Sequence, residues 1–576
     1  MRYAADESPP HRLALGLAAQ KVALIVSGIV LTPVIVLRAG GISGAAVAWS
    51  IFMALLISGI TTVLQARPLG RLGAGYVLFM GTSGAFITVG VDALKAGGLA
   101  LLMTLICVSS LTEFLIAGRL SALRRLITPT VGGTTIMLIA VTVMPIAFGM
   151  LEDVPAPVRA AAPLGALASA AVTFVVIVGL TAFGSRALKL WSPLLGLVAG
   201  TGVAALYGLV DIAPVREAPW IGLPALVWPG LDLSFGAAFW ELLPAFIIVT
   251  LVGTVETYGD GIAIQKVSWH TPRAVDYRAV QGAIYADGVG NLLSGLGGTL
   301  PNTTYSTSIS AVEMTGVAAR RVGIYGGILL TLLAFSPRLA AILLMVPNPV
   351  VAAYLIVLIV LLFMHGVMVV TEDGLTLDKS LIIGLSLWLG IGFQDKAIFQ
   401  AHLPEWAVSL LGNGMTAGAL VALGLTALLG LKRGQGKRLR VPLATASLPA
   451  CMAFVREAAG SAGWSRAARE RLELALEETL VLLVEQARSQ ASATPELLIR
   501  LQTADDAIAC EFIGGKVAGN LEDQLPAGAG SVPDDADLGF RILQSMVEDF
   551  RHEQYHERDF VAWRLRPASS GPEQPA

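Results

Sequence analysis

Apolar stretches long enough to cross a membrane recur along the first three quarters of this 576-residue chain. A helix needs ~20 mostly apolar residues to cross a hydrocarbon core ~30 Å thick. Only 14% of the residues are charged and the mean hydropathy is +0.72, whereas an ordinary soluble domain carries roughly 25% charged residues. The pattern excludes a string of soluble domains and predicts a polytopic α-helical membrane protein. Its fourteen candidate segments lie near residues 20–37, 44–65, 76–91, 96–117, 130–150, 163–184, 190–210, 236–258, 281–299, 303–316, 322–346, 349–370, 380–395 and 412–431.

Charge divides the chain into two unlike parts. Residues 1–440 contain 27 Lys and Arg against 20 Asp and Glu, whereas residues 441–576 contain 12 against 21. The first part is therefore basic and apolar, and the second is acidic with the composition of a soluble domain. We predict a membrane domain over residues 1–435 and a C-terminal α/β domain over residues 441–570.

Basic residues between the segments indicate how the chain crosses the membrane. Short cytoplasmic loops carry an excess of Lys and Arg. Arg67 and Arg71 follow the second segment, Arg320 and Arg321 follow the tenth, and Lys432 follows the last. This phase predicts an even number of crossings in the inner (plasma) membrane, with both termini and the C-terminal domain in the cytoplasm.

Two segments at matching positions contain residues that interrupt a membrane helix. The third segment reads GYVLFMGTSG at residues 75–84, and the tenth with its lead-in reads GGTLPNTTYSTS at residues 297–308. Irregular backbone at membrane depth is tolerated only inside protein or beside a watery cavity. Broken segments at corresponding positions of two halves indicate a transporter's binding site, because their helix N-termini offer free N–H groups. The alternative is that they are re-entrant packing elements with small residues.

Acidic residues inside the segments are functional candidates, because a carboxylate at membrane depth is costly. Glu256 and Asp260 lie four residues apart on one face of the eighth segment, and Asp287 lies inside the ninth. Burial and a like charge favour the neutral acid, so these side chains are candidates for binding the coupling ion. The alternative for Asp260 is the cytoplasmic end of its helix. We interpret Glu113 as an interfacial charge and expect Lys21 to extend to the membrane surface.

The first 435 residues resemble the nucleobase–ascorbate transporter family, which comprises the xanthine/uracil permeases. The resemblance rests on motifs whose order and spacing agree with the fourteen segments. These are TVGGTTIMLI at 130–139, ETYGD at 256–260, DGVG at 287–290, PNTTY at 301–305, TGV at 315–317 and PNPVV at 347–351.

The resemblance implies a 7+7 inverted repeat, folded into a core domain and a gate domain that move against each other in an elevator-like manner. It implies a symporter that imports a nucleobase together with a proton or a sodium ion and that forms a homodimer. The substrate would contact Glu256, Thr307, Ser308, Ser83 and Gly84, with Glu256, Asp260 and Asp287 coupling the ion. We expect no enzymatic activity, no cofactor, no metal ion and no nucleic-acid partner.

The site motifs also depart from the family pattern. Thr307 and Ser308 stand where the family has glutamate or glutamine followed by asparagine, and Gly84 stands where an aromatic residue often follows the serine. A pocket without these side chains is larger and differently polar, so a purine such as xanthine or uric acid fits at least as well as uracil. A protein that binds such a base and signals through its C-terminal domain, without transporting it, is the alternative.

The C-terminal part reads as an ordinary α/β domain. Helices are predicted over residues 448–460, 465–490 and 538–550, and strands over 496–503, 507–513 and 561–565. This order, and LALEETL at 474–480, resembles the anti-sigma-factor kinases of the histidine-kinase ATPase fold. The position that holds magnesium in that fold is Leu482 here, and leucine has no oxygen ligand to offer. We predict a degenerate regulatory or dimerising domain with a possible cytoplasmic partner; an active kinase or a simple folded appendage are the alternatives.

Overall fold

The computed structural model describes most of the chain and divides it into two compact units. The first unit contains Met1–His270 and Ala279–Ala427, and the second contains Thr271–Arg278 and Leu428–Ala576. The second unit is therefore built from the C-terminal part and a short piece of chain from the middle of the sequence. The residues that the structure describes are 1–123, 128–371, 374–394, 402, 411, 413–432, 436–488, 496–504, 507–514, 520–524 and 538–567.

The first unit is almost entirely helical, and its only strands in the described residues are two three-residue strands. The strands are β1 (Met80–Thr82) and β2 (Asn302–Thr304). The helices are α1 (His11–Ala39), α2 (Ala45–Ala66), α3 (Ile87–Gly118), α4 (Leu120–Leu123), α5 (Pro129–Gly149), α6 (Ala156–Ala161), α7 (Gly165–Phe183), α8 (Arg186–Leu206), α9 (Ala213–Glu217), α10 (Ala237–Lys266), α11 (Tyr277–Gly297), α12 (Thr307–Thr315), α13 (Arg320–Ala334), α14 (Pro337–Leu344), α15 (Asn348–Thr371), α16 (Leu377–Phe393) and α17 (Gly414–Lys432).

The polytopic helical fold is confirmed, and each of the fourteen predicted segments overlaps a helix. Within the described residues, eight helices are long and apolar enough to cross a membrane alone, or nine if the bent pair α13–α14 is one span. Fewer helices than predicted segments are long and apolar enough to cross a membrane, and this difference has three structural causes. The third and fourth segments share α3, which is kinked at Gly97 and Gly98, where Gly98 has a φ of 73°. The chain bends by 82° between α13 and α14, and α12 has only nine residues.

The helices of the first unit pack in two groups. One group contains α1, α2, α3, α10, α12, α13 and α14, and the other contains α5, α7, α8, α15 and α16. Small residues bring the helices close within each group, as is common in membrane proteins. A Cβ at Gly59 of α2 would lie 2.6 Å from the carbonyl oxygen of Gly327 in α13, and one at Gly133 of α5 would lie 2.7 Å from that of Gly366 in α15. We call these the core group and the gate group.

The second unit contains one antiparallel sheet with helices packed against it. Its strands are β3 (Lys437–Pro442), β4 (Glu496–Ala504), β5 (Ala507–Gly514), β6 (Glu548–Gln554) and β7 (Asp559–Leu565), and its helices are α18 (Leu448–Ser461), α19 (Arg466–Arg488) and α20 (Leu538–Met546). The strand order is β3-β4-β5-β7-β6. Apolar side chains from α18, α19 and the inner face of the sheet form its core.

Two strands of the second unit were not expected from the sequence. The basic run before residue 441 forms β3, which pairs with β4 so that Leu439 lies opposite Ile499. The helix predicted over residues 538–550 ends at Met546, and the following residues form β6. Half of the positions in β3 and six of the seven in β6 are polar, so their composition alone did not distinguish them from a loop or a helix end.

Candidate functional site

The two interrupted segments meet as a small antiparallel sheet inside the first unit. In this sheet Met80 lies opposite Thr304, Gly81 opposite Thr303 and Thr82 opposite Asn302. All six residues are buried. A helical turn begins soon after each strand, at Gly84 and at Thr307. Because the strands run in opposite directions, two helix N-termini with their positive dipole ends approach the same region, which suits a polar or anionic ligand. We call this arrangement the crossing.

Tyr305 fastens the two strands of the crossing together. Its backbone N–H donates to the carbonyl oxygen of Phe79 at 2.9 Å, and its hydroxyl donates to the carbonyl oxygen of Thr82 at 3.0 Å. On the other side of the sheet the N–H of Ser83 donates to the carbonyl oxygen of Pro301 at 2.8 Å. The ring of Tyr305 also covers the face of the sheet, where a side chain in the neighbouring strand would collide with it. The crossing is thus held by backbone and side-chain bonds from both segments.

Asp260 connects α10 to the second interrupted segment. Its two carboxylate oxygens accept hydrogen bonds from the hydroxyls of Thr304 and Ser306, each at 2.7 Å. The side chain is 5% exposed, so Asp260 lies inside the unit and not at a solvent-exposed helix end. Its position holds the end of β2 and the start of α12 against α10.

Asp287 and Glu113 form a second buried polar group next to the crossing. Asp287 accepts a hydrogen bond from the Thr257 hydroxyl of α10 at 2.7 Å. Glu113 is 1% exposed and accepts two hydrogen bonds from the Asn291 side chain at 2.9 and 3.0 Å. The interpretation of Glu113 as an interfacial charge was therefore wrong. The Asn291 carbonyl oxygen in turn accepts the backbone N–H of Asn302 at 2.5 Å, which ties this group to β2.

Glu256 lies between these groups. It is half-buried on α10 and lies within electrostatic range of Asp260 and Asp287. Tyr305 of the crossing interacts electrostatically with two residues: Glu256 and Tyr354, which lies in the gate helix α15. Sequence reasoning missed Tyr354, although an aromatic residue in the apolar run of α15 was the available signal. The structure thus brings the candidate acids, the crossing and one gate residue into one region.

The remaining predicted site residues take different positions at the crossing. Ser83 is 1% exposed and its hydroxyl accepts the N–H of Ala85, while a Cβ at Gly84 would have open space, with its nearest neighbour 4.0 Å away. Thr307 is exposed at the start of α12. Ser308 is buried, and its hydroxyl accepts the N–H of Phe79 at 3.1 Å. Within the described part of the chain, no neighbouring side chain fills the space left by the missing aromatic residue at Gly84; the larger pocket stays a prediction.

Comparison with known proteins identifies the family. The profile of the family described as "Permease family" (Xan_ur_permease) matches residues 13–396, about two thirds of the chain. The chain belongs to the xanthine/uracil permease family. The xanthine permease XanP of Escherichia coli (strain K12) is 27% identical over 73% of this chain and 93% of its own length. The nucleobase transporter PlUacP of Paenibacillus larvae subsp. larvae is 28% identical over 71% of this chain and 93% of its own length.

A solved structure supports the fold of the permease. The murine Solute Carrier 26 family member A9 anion transporter, in its inward-facing state, matches with a TM-score of 0.51 at 11% identity. The match covers 76% of this chain and 71% of the murine protein. At this identity the likeness concerns the fold alone, and it agrees with the core and gate groups seen in the packing.

Lys21 of the permease is buried, contrary to the expectation that it extends to the surface. It is 4% exposed, and its ammonium group lies 5.8 Å from the centre of the Phe79 ring. The sequence places Lys21 near the start of an apolar stretch, but α1 begins at His11. The side chain therefore lies almost three turns inside the helix, near the residue that precedes β1.

A polar cluster joins the core and gate groups at the far end of α1. The Arg38 guanidinium donates to the side-chain oxygen of Asn348 and to the carbonyl oxygen of Leu344, both at 2.7 Å. The Asn348 amide donates to Asp153 at 2.7 Å. Arg38 lies in α1 and Leu344 in α14, both of the core group, whereas Asn348 lies in α15 of the gate group. This Arg38 cluster therefore links the two groups. A cavity of about 560 Å³ adjoins it, and neither feature was expected from the sequence.

Among the residues that the structure describes, no group of three or more His, Cys, Asp or Glu side chains is arranged to hold a metal ion. In the second unit Leu482 is 4% exposed within the hydrophobic core, so it offers no oxygen ligand to magnesium. The likeness of this unit to anti-sigma-factor kinases stays a prediction.

Proposed function

We propose that this permease is a secondary active transporter that imports a nucleobase, with xanthine, uric acid and uracil as the candidate substrates. Import would be coupled to a proton or a sodium ion and would proceed by movement of the core group against the gate group. The protein would lie in the inner (plasma) membrane as a homodimer with both termini in the cytoplasm. The observation that carries the proposal is the buried crossing, with Glu256 and Asp260 beside it, in a family whose named relatives are nucleobase permeases.

The geometry supports a planar substrate between the crossing and the gate helix α15. Two helix N-termini and the hydroxyls around the crossing offer hydrogen-bond partners for the polar edge of a base. Glu256 would accept from the N–H groups of the base, and aromatic rings such as Tyr354 would cover its face. The open space at Gly84 favours a purine over the smaller uracil in this proposal.

Uptake of radiolabelled xanthine, hypoxanthine, uric acid and uracil into a permease-deficient host tests the proposal. We expect saturable uptake of at least one purine that depends on a pH or sodium gradient. Uptake of none of these bases, together with normal membrane insertion, would contradict the transporter proposal.

Replacing Glu256 tests the assigned binding and coupling role. Glu256→Gln keeps the shape of the side chain but removes its charge, so we expect it to abolish uptake or to remove the pH dependence. Glu241→Gln is the matched control, because Glu241 lies at the start of the same helix α10, about four turns from Glu256. Wild-type transport and pH dependence in Glu256→Gln would refute the role.

The second candidate function is ligand sensing, in which the second unit passes the bound state to a cytoplasmic partner. The presence of a second compact unit, formed mainly by the C-terminal part, favours it. Measurable binding of a base by the purified protein, without uptake in the same host, would select sensing over transport.

A further inference from the structure

The second unit contains an eight-residue piece of chain that connects two helices of the first unit. This connector, Thr271–Arg278, belongs to the second unit together with the C-terminal part. In the sequence it lies between the end of α10 at Lys266 and the body of α11. The two helices that it joins carry Glu256, Asp260 and Asp287, the three candidate coupling acids.

Three kinds of contact hold the connector within the second unit. The N–H of Ala274 donates to the carboxylate of Asp523 at 2.6 Å. The rings of Tyr277 and Tyr555 are stacked, with centroids 5.1 Å apart and planes 28° apart. The first contact is a charge-assisted hydrogen bond, which is stronger than a neutral one, and the second is an aromatic pair, which contributes beyond the area that it buries.

Arg278 adds the third contact and continues into α11. Its guanidinium donates to the side-chain oxygen of Gln554 at 3.4 Å and to both carboxylate oxygens of Asp276 at 2.9 and 3.1 Å. The N–H of Arg278 also donates to Asp276 at 2.9 Å, which satisfies one of the free N–H groups at the start of α11. The start of this helix is therefore capped by Asp276 of the connector.

Two of the three residues that contact the connector are buried. Gln554 and Tyr555 at the end of β6 are 2% and 1% exposed. The turn that carries Asp523 is itself bonded to β6, because the N–H of Leu521 donates to the His552 ring at 2.9 Å. A movement of the end of β6 would therefore displace Asp523, Gln554 and Tyr555 together and disturb all three contacts to the connector.

We propose that this surface of the second unit, formed by Asp523, Gln554 and Tyr555, is a docking site for the chain's own connector and controls the helices that hold the coupling acids. Nine residues of α11 separate Arg278 from Asp287, a distance of ~14 Å along the helix. Asp287 is bonded to Thr257 of α10, so displacement of the connector is transmitted to both helices. The control of transport rests on the proposed function, whereas the docking does not.

A reversible cross-link in the full-length protein tests both parts. In Ala274→Cys/Asp523→Cys, oxidation in membranes should form an intrachain disulfide, because the two positions are in direct contact; each single variant is the control. We expect oxidation of the double variant to lower base uptake at least fivefold and reduction to restore it. A disulfide that does not form, or that forms between two chains, would overturn the docking. Unchanged uptake with a complete disulfide would overturn the control.

Hydrogen exchange separates these results from a failure of the proposed function. Tyr277→Ala should increase exchange in the connector and in β6, while Tyr277→Phe, which keeps the stacked ring, should exchange like the wild type. This readout needs no substrate, so it reports docking even if no base is carried. Equal exchange in Tyr277→Ala and the wild type would refute the docking.

Discussion

A methyl group at Gly81 should damage the crossing, whereas one at Gly84, three residues further along, should not. A Cβ at Gly81 would lie 2.5 Å from Cζ of Tyr305 and 2.8 Å from its Cε2 and hydroxyl oxygen. The ring would have to move by about 1 Å to reach an ordinary contact distance of ~3.5–4.0 Å. At Gly84 the nearest atom is 4.0 Å away, so alanine fits there without movement.

The structure gives the size of the effect in Gly81→Ala. Movement of the ring breaks the hydrogen bond from the Tyr305 hydroxyl to Thr82, which costs about 0.5–1.5 kcal/mol. Forcing a methyl group into a packed interior costs about 1–3 kcal/mol more. We therefore expect a loss of about 1.5–4.5 kcal/mol, divided between the stability of the protein and its affinity for the base.

Two measurements on detergent-purified protein check this expectation: the thermal unfolding midpoint and the equilibrium binding of the transported base. Gly81→Ala should lower both stability and affinity, and Gly84→Ala should keep the thermal unfolding midpoint of the wild type. Tyr305→Leu removes the ring, so the effect of Gly81→Ala should be smaller in that background, which a double-mutant cycle measures. Wild-type behaviour of Gly81→Ala, or an additive cycle, would refute the packing that we assign to the crossing.

Other variants test the bonds around the crossing and the link between the two helix groups. Asp260→Ala removes both bonds to the second interrupted segment and should slow uptake more than Asp260→Asn, whose amide can keep one of them; equal rates would contradict the positioning role. Asn291→Leu leaves the buried N–H of Asn302 without its acceptor and should lower the free energy of unfolding by about 1–3 kcal/mol, measured by thermal unfolding. Arg38→Ala removes the hydrogen bond between α1 and α15 and should therefore increase the labelling of a cysteine introduced at Val47, which lines the adjoining cavity. Unchanged labelling would show that the Arg38 cluster does not restrict access to this cavity.

The apolar lengths and the two interruptions could be predicted from the sequence, but the pairing of the interruptions could not. Glycine, serine, threonine and proline at membrane depth indicate broken helices. Three-residue strands, however, have almost no local signal, and β1 and β2 pair across more than 200 positions of the chain. The acids on α10 and α11 were found because any carboxylate at that depth is a candidate.

Two side chains near the ends of predicted segments were misjudged. Glu113 lies near the end of the apolar stretch at 96–117, yet it packs against α11, where a Cβ added at Gly288 would lie 3.2 Å from the Cβ of Glu113. Lys21 lies near the start of its stretch, yet α1 begins ten residues earlier. Apolar composition locates the middle of a membrane helix better than its ends, because polar residues inside a protein need a partner and not a surface. Side chains within one or two turns of a predicted end are therefore the ones that only the fold can place.

The bonds of Asp260 give a physical route from ion binding to substrate binding. The carboxylate accepts from two hydroxyls, those of Thr304 and Ser306. A protonated acid has one acceptor oxygen and one O–H donor, so one hydroxyl would have to turn around and accept. Both hydroxyls flank Tyr305, which fastens the crossing. Proton binding at Asp260 would therefore alter the segment that we propose contacts the base, and a base bound to that segment would alter the proton affinity of Asp260 by the same free energy. Asp260→Asn imitates the protonated acid, so we expect base binding to this variant to lose its dependence on pH, and persistence of that dependence would assign the coupling to Glu256 or Asp287 instead.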